Sequence, residues 1–255
     1  MHKRNILITG AGSGIGAGLA LYLSESGHRI VVTDRDGTAA ASVAHGIAAA
    51  GGRSHAAALD VADSDAVAAL FADANTGPVD VLINNAGLQH VARLEEFDPA
   101  RWQQLVNVML VGAANMMGAA LPGMRARGFG RIVNIGSIHS LVASPYKSAY
   151  IAAKHGLIGL SKTVALENGD VDVTVNTICP AYVRTPLVDQ QIQRQAAEHG
   201  LPEDRVINEI MLKPMPKRAF ITIAEIAAAV DYFMSDAARN ITAQALAIDG
   251  GWTAQ

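Results

Sequence analysis

The sequence predicts an α/β protein: one doubly wound parallel sheet of seven strands, helices on both faces, and a small helical lid before the last strand. Three observations predict it. Short β-branched runs alternate with Ala-rich stretches of helix length. A glycine-rich turn, Thr9-Gly10-Ala11-Gly12-Ser13-Gly14-Ile15-Gly16, joins the first run to the first helical stretch. An acid, Asp34, closes the second run. Together these describe a Rossmann-type unit, whose parallel strands need cover on both faces.

The strand runs are, in order, Asn5–Thr9, Arg29–Thr33, Arg53–Leu59, Val79–Asn84, Gly130–Ile135, Val171–Ile178 and Ala245–Ile248. The first carries an apolar core of only three residues, Ile6-Leu7-Ile8, which is strand length and too short for a secretory leader. Gly27 is placed to stop the first helix and Gly51-Gly52 the second. The uncharged stretch from Trp102 to Met124 contains Gln103, Gln104, Asn107, Asn115, three glycines and Pro122, so it reads as a buried or interface helix rather than a membrane span. Between the sixth and seventh strands, Tyr182 to Ile221 carries Pro186, Pro202, Pro214 and Pro216 and two short amphipathic patches. It is a candidate lid, the alternative being an ordinary surface helical hairpin. No repeat or low-complexity linker interrupts the chain, so residues 1–255 read as a single domain with 182–221 as the lid within it.

Composition narrows the partners. Lys and Arg number 20 against 23 Asp and Glu, a net charge of −3 with the basic residues scattered, which argues against nucleic acid as a partner. The single cysteine, Cys179, excludes an intramolecular disulfide and a multi-cysteine metal site and fits a reducing, cytoplasmic compartment. Placed before Pro180 at a strand end, it reads as a buried, inert thiol. The eight histidines show no ligand spacing with a carboxylate, so no catalytic metal is expected.

Glycines in the 9–16 turn let the backbone approach a pyrophosphate closely, and the following helix offers free N–H groups and the positive end of its dipole. Gly10 belongs to this cradle. Asp34, 18 residues beyond Gly16, is placed to accept from adenosine ribose hydroxyls and to repel an added 2′-phosphate, so the expected cofactor is NAD. Arg35 is the opposing signal, while Ala11 leaves the turn uncharged. Asp34 also suits a turn or N-cap before Gly37, which is compatible with the same role.

Ser137 ends the fifth strand, and Tyr150 and Lys154 follow at a spacing of four, on one face of a helix. A free tyrosine has a pKa of about 10 and needs a neighbouring cation to act as a base near neutrality. Lys154 and a bound nicotinamide supply that charge, and Ser137 can hold a substrate oxygen. A lone Tyr-x-x-x-Lys pair otherwise reads as part of a solvated helix face.

TGAGSGIG at 9–16, Asp60, NNAG at 84–87, Ser137, YIAAK at 150–154 and CPAYVRTP at 179–186 occur in an order and spacing that resemble the classical short-chain dehydrogenases/reductases over essentially the whole chain. The resemblance implies pyrophosphate contacts at Ser13 and Ile15 and adenine contacts at Asp60 and Val61. It also implies a contact near the nicotinamide ribose at Asn84 and carboxamide contacts at Val183 and Thr185. It makes Tyr150 the acid/base and Lys154 the residue that binds ribose and lowers the tyrosine pKa. NNAGLQHV, HSLVASPYKSAY, AAKHGLIGLSK, YVRTPLVDQQI and DGGWTAQ further resemble family members that act on short 3-hydroxy acids. This implies a substrate carboxylate held by Gln89, His139, Lys147 and Gln191, with D-3-hydroxybutyrate oxidised to acetoacetate. Another small polar or anionic 3-hydroxy or keto compound as substrate, or an NAD-binding protein with impaired catalysis, are the other readings. Trp252 either closes the pocket or anchors the C-terminus. The family also implies a homotetramer, with the helix around Met109, Met116, Met117 and Met124 and the Tyr150 helix in one interface.

Two positions depart from the family pattern. Met109 stands where an asparagine usually helps hold a water near the lysine, which implies that proton exchange limits turnover rather than binding. Asn107 does not substitute, since two residues along a helix turn the side chain by about 200°. Ala181 stands where glycine usually follows the proline, which is expected to tighten the site.

Overall fold

In the computed structural model, which describes residues 3–254, all seven strands join one parallel sheet in the order β3-β2-β1-β4-β5-β6-β7. They are β1 (Asn5–Thr9), β2 (Arg29–Asp34), β3 (Arg53–Ala58), β4 (Val81–Asn84), β5 (Gly130–Ile135), β6 (Val173–Pro180) and β7 (Ala245–Ile248). The expected strands are therefore present, with small shifts that have local causes. β4 begins two residues late because Asp80 serves β1 instead: its carboxylate accepts from Asn5 N, and its own N–H donates to Asn5 O. β6 begins late because Val171 and Asp172 form a turn closed by Val173 N on Val171 O, and it runs on to Pro180 through pairing with β7.

The helices are α1 (Gly14–Glu25), α2 (Gly37–Ala49), α3 (Ser64–Ala72), α4 (Pro99–Val106), α5 (Gly112–Arg127), α6 (Ser148–Glu167), α7 (Pro186–His199), α8 (Glu203–Arg205) and α9 (Ile223–Met234). Ile6, Leu7 and Ile8 are each fully buried because helices cover both faces of β1. One face packs against α1, α2 and α9, the other against α3, α5 and α6. Asp36, rather than Asp34, caps α2 by accepting from Thr38 N and Ala39 N.

The uncharged stretch is a helix, as its composition predicts, and a longer one. α4 and α5 are joined by a π-helical turn over Asn107–Val111, so helical backbone runs from Pro99 to Arg127. Pro122 is accommodated inside it, and Gly128, at φ +65°, ends it. By length and composition it is able to cross a membrane, yet here it packs along α3 and the sheet.

Chain direction reverses its winding between β1 and β4, which opens a crevice at the carboxyl ends of the strands. The loops after β1, β2, β4, β5 and β6 meet there. Residues 182–221 form α7, α8 and a π-helical turn over Val206–Met211, with a small core of their own in Ile192, Val206 and Met211. Pro186 occupies the first turn of α7 and Pro202 the N-cap of α8, so both prolines start helices rather than break them.

Candidate active site

A cleft of about 400 Å³ lies at the crevice, and a second hollow of about 140 Å³ opens beside it. The first is bounded by the glycine turn, and the turn is built around backbone contacts that a side chain would destroy. A Cβ at Gly16 would stand 2.4 Å from Gly10 O, and Gly10 itself sits at φ +61°. Asn85 Nδ2 donates to Thr9 O and Gly10 O at 2.9 and 3.0 Å, fixing the loop after β4 against the turn. The Thr9 hydroxyl accepts from Asn85 N and Ala86 N. Ser13, the N-cap of α1, makes no side-chain cap bond, so the helix start faces the cleft with its dipole open to an anion.

Gly10, Ser13, Ile15, Asp34, Asp60, Val61 and Thr185 all line this cleft, as do Tyr150 and Lys154. Asp34 Oδ2 accepts from Gly12 N at 2.9 Å and Oδ1 from Asp36 N at 3.0 Å, so the carboxylate braces the turn while bordering the cleft. A cleft of about 400 Å³ lined by a glycine-framed helix start and an acid fits a dinucleotide.

Asn84 is not brought to the cleft. It is buried behind the wall, its Nδ2 donating to Asn134 Oδ1 at 2.8 Å. Val183 lines the smaller hollow, where its bridge to Ile221 ties the start of the 182–221 segment to its end.

Ser137 follows β5, held by Gly136 N on Ile178 O and by a capping box with Ser140. Its hydroxyl accepts from His139 N at 3.1 Å and is hydrogen-bonded to the Tyr150 hydroxyl. Tyr150 and Lys154 lie one turn apart on α6, with Lys154 Nζ 5.8 Å from the tyrosine ring centroid. Burial dominates both groups. It raises the Tyr150 pKa, against the pull of the Ser137 hydrogen bond, and it lowers that of Lys154 to about 8. Lys154 Nζ donates to Ile135 O at 2.6 Å. The protein's own groups thus pair a hydroxyl holder with a buried phenol, and a further positive charge in the cleft is what would draw the phenol toward ionisation.

The smaller hollow brings Gln89, His139, Lys147 and Gln191 together with Ser137 and Tyr150. Lys147 Nζ lies 3.3 Å from His139 Nε2. Burial and then the Lys147 charge push the His139 pKa down to about 4, so the ring is neutral near pH 7 and accepts from the ammonium. Burial also lowers the Lys147 pKa. Gln191, on α7, is buried at the hollow. One cation, two amides and a neutral imidazole beside a proton-transfer pair can hold a small anion with its hydroxyl on Ser137 and Tyr150.

Of the two readings of Trp252, the packing favours support over closure. Its ring meets His139 edge-on at 6.0 Å and Tyr182 at 5.9 Å. Asp249 fixes the C-terminal turn by accepting from Gly251 N, Thr253 N and the Thr253 hydroxyl. Ala181 is not among the residues at positive φ, so its methyl group is borne without backbone strain. Cys179 is fully buried and its pKa is raised by burial, as an inert thiol requires. Asn85 and Tyr182 also line the site, Asn85 at the cleft and Tyr182 at the hollow. The second asparagine of NNAG was the signal for the first, whereas Tyr182 enters the pocket only through the path of the chain after β6.

The family model described as short chain dehydrogenase matches residues 4–196. The chain is 44% identical over 261 residues to a D-beta-hydroxybutyrate dehydrogenase of Rhizobium meliloti (strain 1021), covering 99% of each protein. It is 39% identical over 260 residues to a D-beta-hydroxybutyrate dehydrogenase of Cupriavidus necator, covering 100% of each. Among solved structures, a variant of actinorhodin polyketide ketoreductase with NADPH superposes at a TM-score of 0.92 with 31% identity, covering 98% of this chain and 97% of that one. The chain therefore belongs to the short-chain dehydrogenase family, as an oxidoreductase that works on a small molecule with a nicotinamide cofactor.

Proposed function

We propose that the protein oxidises D-3-hydroxybutyrate to acetoacetate with NAD, reversibly. The observation that carries the reading is the adjacency of an anion-holding set, Lys147, His139, Gln89 and Gln191, to the Ser137–Tyr150 pair in one small hollow. The names of the two relatives, alike over their whole length, support the same substrate.

In this reading Lys147 and the two glutamines hold the carboxylate, and His139 orients the ammonium. Ser137 holds the C3 oxygen and Tyr150 takes its proton. Lys154 binds the ribose and, as a cation, favours the phenolate. The cofactor, when bound, supplies the hydride acceptor and a positive charge near Tyr150. Its cradle is Gly10, Ser13, Ile15, Asp34, Asp60, Val61 and Thr185, with Val183 toward the carboxamide. Asp34 at the cleft favours NAD over NADP. Residues 182–221 act as the lid, since Val188 and Gln191 of α7 face the hollow. The same reading makes the protein a cytoplasmic homotetramer, with the half-exposed apolar Val111 and the uncharged helix around it facing a partner subunit. Light scattering after size exclusion measures that assembly.

The test of the reaction is NADH formation at alkaline pH from D-3-hydroxybutyrate, with the L enantiomer, a neutral alcohol of similar size and NADP as controls. Activity confined to the D acid with NAD is the expected result. Equal activity on the neutral alcohol removes the carboxylate pocket from the reading. NADH binding without turnover on any hydroxy acid assigns the protein a non-catalytic role.

A further inference from the structure

Donor and acceptor groups behind Lys154 leave one buried atom without a partner. Ser161 donates its hydroxyl hydrogen to Leu157 O at 2.6 Å, so it accepts from Asn134 Nδ2 at 2.8 Å. Asn134 therefore turns its oxygen toward Asn84 and receives Nδ2 of that residue. This chain fixes the orientation of the Asn84 amide, and its Oδ1 is left buried with no protein donor. A buried acceptor without a donor is costly, so such atoms are ordinarily met by ordered water.

Asn84 faces a cavity of about 10 Å³, at the size that one water occupies. Its wall includes Lys154, Met109, Thr9, Gly112 and Leu157. Lys154 also lines the cofactor cleft and is the titratable residue common to both spaces among the described residues. Its ammonium has three N–H donors, one of which goes to Ile135 O. Met109 offers the same cavity only a thioether, a weak acceptor, and Asn107 is engaged elsewhere by Gln103 Nε2 at 2.8 Å.

We infer that Asn84 Oδ1 holds one water in this cavity, that the water accepts from the Lys154 ammonium, and that Asn84 is thereby a positioning residue for that lysine. The inference rests on the proposed dehydrogenase reading for its kinetic consequence but not for its structural one. The water donates to Asn84 Oδ1 and accepts from Lys154, which satisfies both groups and favours the charged lysine. On this account the amide expected at position 109 is supplied from β4 instead.

A high-resolution crystal structure of the NADH complex is expected to show a water within hydrogen-bond reach of both Asn84 Oδ1 and Lys154 Nζ. A dry cavity, or a water touching only one of them, overturns the inference whether or not 3-hydroxybutyrate is the substrate. In solution, Asn84→Ala is expected to lower kcat about tenfold, leave the NADH Kd within about twofold, and move the alkaline limb of the kcat profile to lower pH. Met109→Asn places an amide on the same cavity and is expected to recover most of that loss in the Asn84→Ala background. A fall in kcat with an unmoved pH profile and no rescue marks a purely structural role and overturns the assignment. Should Asn84→Ala fail to fold, the crystallographic result on the unaltered enzyme decides.

Discussion

Lys147 Nζ approaches His139 Nε2 to 3.3 Å, so the imidazole is the acceptor and the ammonium the donor. This contact aims the cation that the hollow would present to a carboxylate and makes His139 a neutral guide rather than a second charge. Removing the cation by Lys147→Ala is expected to raise KM for the hydroxy acid by about 100-fold, the scale of one charge-assisted hydrogen bond in a buried site. Any activity on a neutral alcohol of the same size is expected to stay unchanged. Steady-state kinetics on both substrates measure this, and an equal loss on both contradicts an anion-holding role.

The same neutral histidine links stability to pH. The His139 pKa in the folded protein is about 4, below the ordinary value of 6.5, so between these values the unfolded chain binds a proton that the folded one refuses. Its contribution to stability is complete above pH 6.5 and is lost as pH falls toward 4. From pH 7 to pH 5 the unaltered protein is expected to lose about 2 kcal/mol more than His139→Asn. Burial also lowers the His28 pKa, but that residue is common to both proteins and cancels in the comparison. Urea unfolding at the two pH values gives the difference.

The glycine turn, the acid after β2 and the Tyr-x-x-x-Lys spacing were legible because each is a local pattern whose physics needs only neighbouring residues. Gly10, Asp34, Tyr150 and Lys154 accordingly line one cleft. What depended on distant partners was not legible. Asn84 belongs by motif beside the cofactor, yet its amide pairs with Asn134 on the adjacent strand β5. The buttress of Trp252 on His139 joins the loop after β5 to the turn after β7 and exists only once β7 lies beside β6. The expectation that Lys154 lowers the Tyr150 pKa met a competing effect invisible in the sequence, the desolvation of the phenol where it packs against Phe97, Leu105 and Met109.

Asp34 offers a direct test of cofactor choice. Its Oδ2 is tied to Gly12 N, and a Cβ on Gly12 would stand 2.9 Å from that oxygen, so the carboxylate is fixed at the cleft edge with little room to withdraw. A fixed negative charge there is expected to favour NAD over NADP by about 100-fold in kcat/KM. Asp34→Ser removes the repulsion while leaving the exposed Arg35 beside the cleft, and the ratio is expected to fall by at least about tenfold. A ratio that does not change shows that the preference is set elsewhere.

The Ser137–Tyr150 hydrogen bond fixes the sign of the pH dependence. Burial raises the tyrosine pKa and the Ser137 hydroxyl pulls it down, so removing that hydroxyl leaves the phenol harder to ionise. Oxidation of a hydroxy acid needs the phenolate, and its kcat/KM is expected to rise with pH. Reduction of the keto acid needs the phenol and is expected to fall over the same range. Ser137→Ala is expected to move the rising limb to higher pH as well as lower its height, whereas Tyr150→Phe lowers both directions by about 10²–10⁴-fold without leaving a titrating limb. Profiles in both directions for the three proteins separate these outcomes. A Ser137→Ala profile that is lower but unshifted limits the serine to holding substrate, and a Tyr150→Phe enzyme that still titrates assigns the acid/base role to another group.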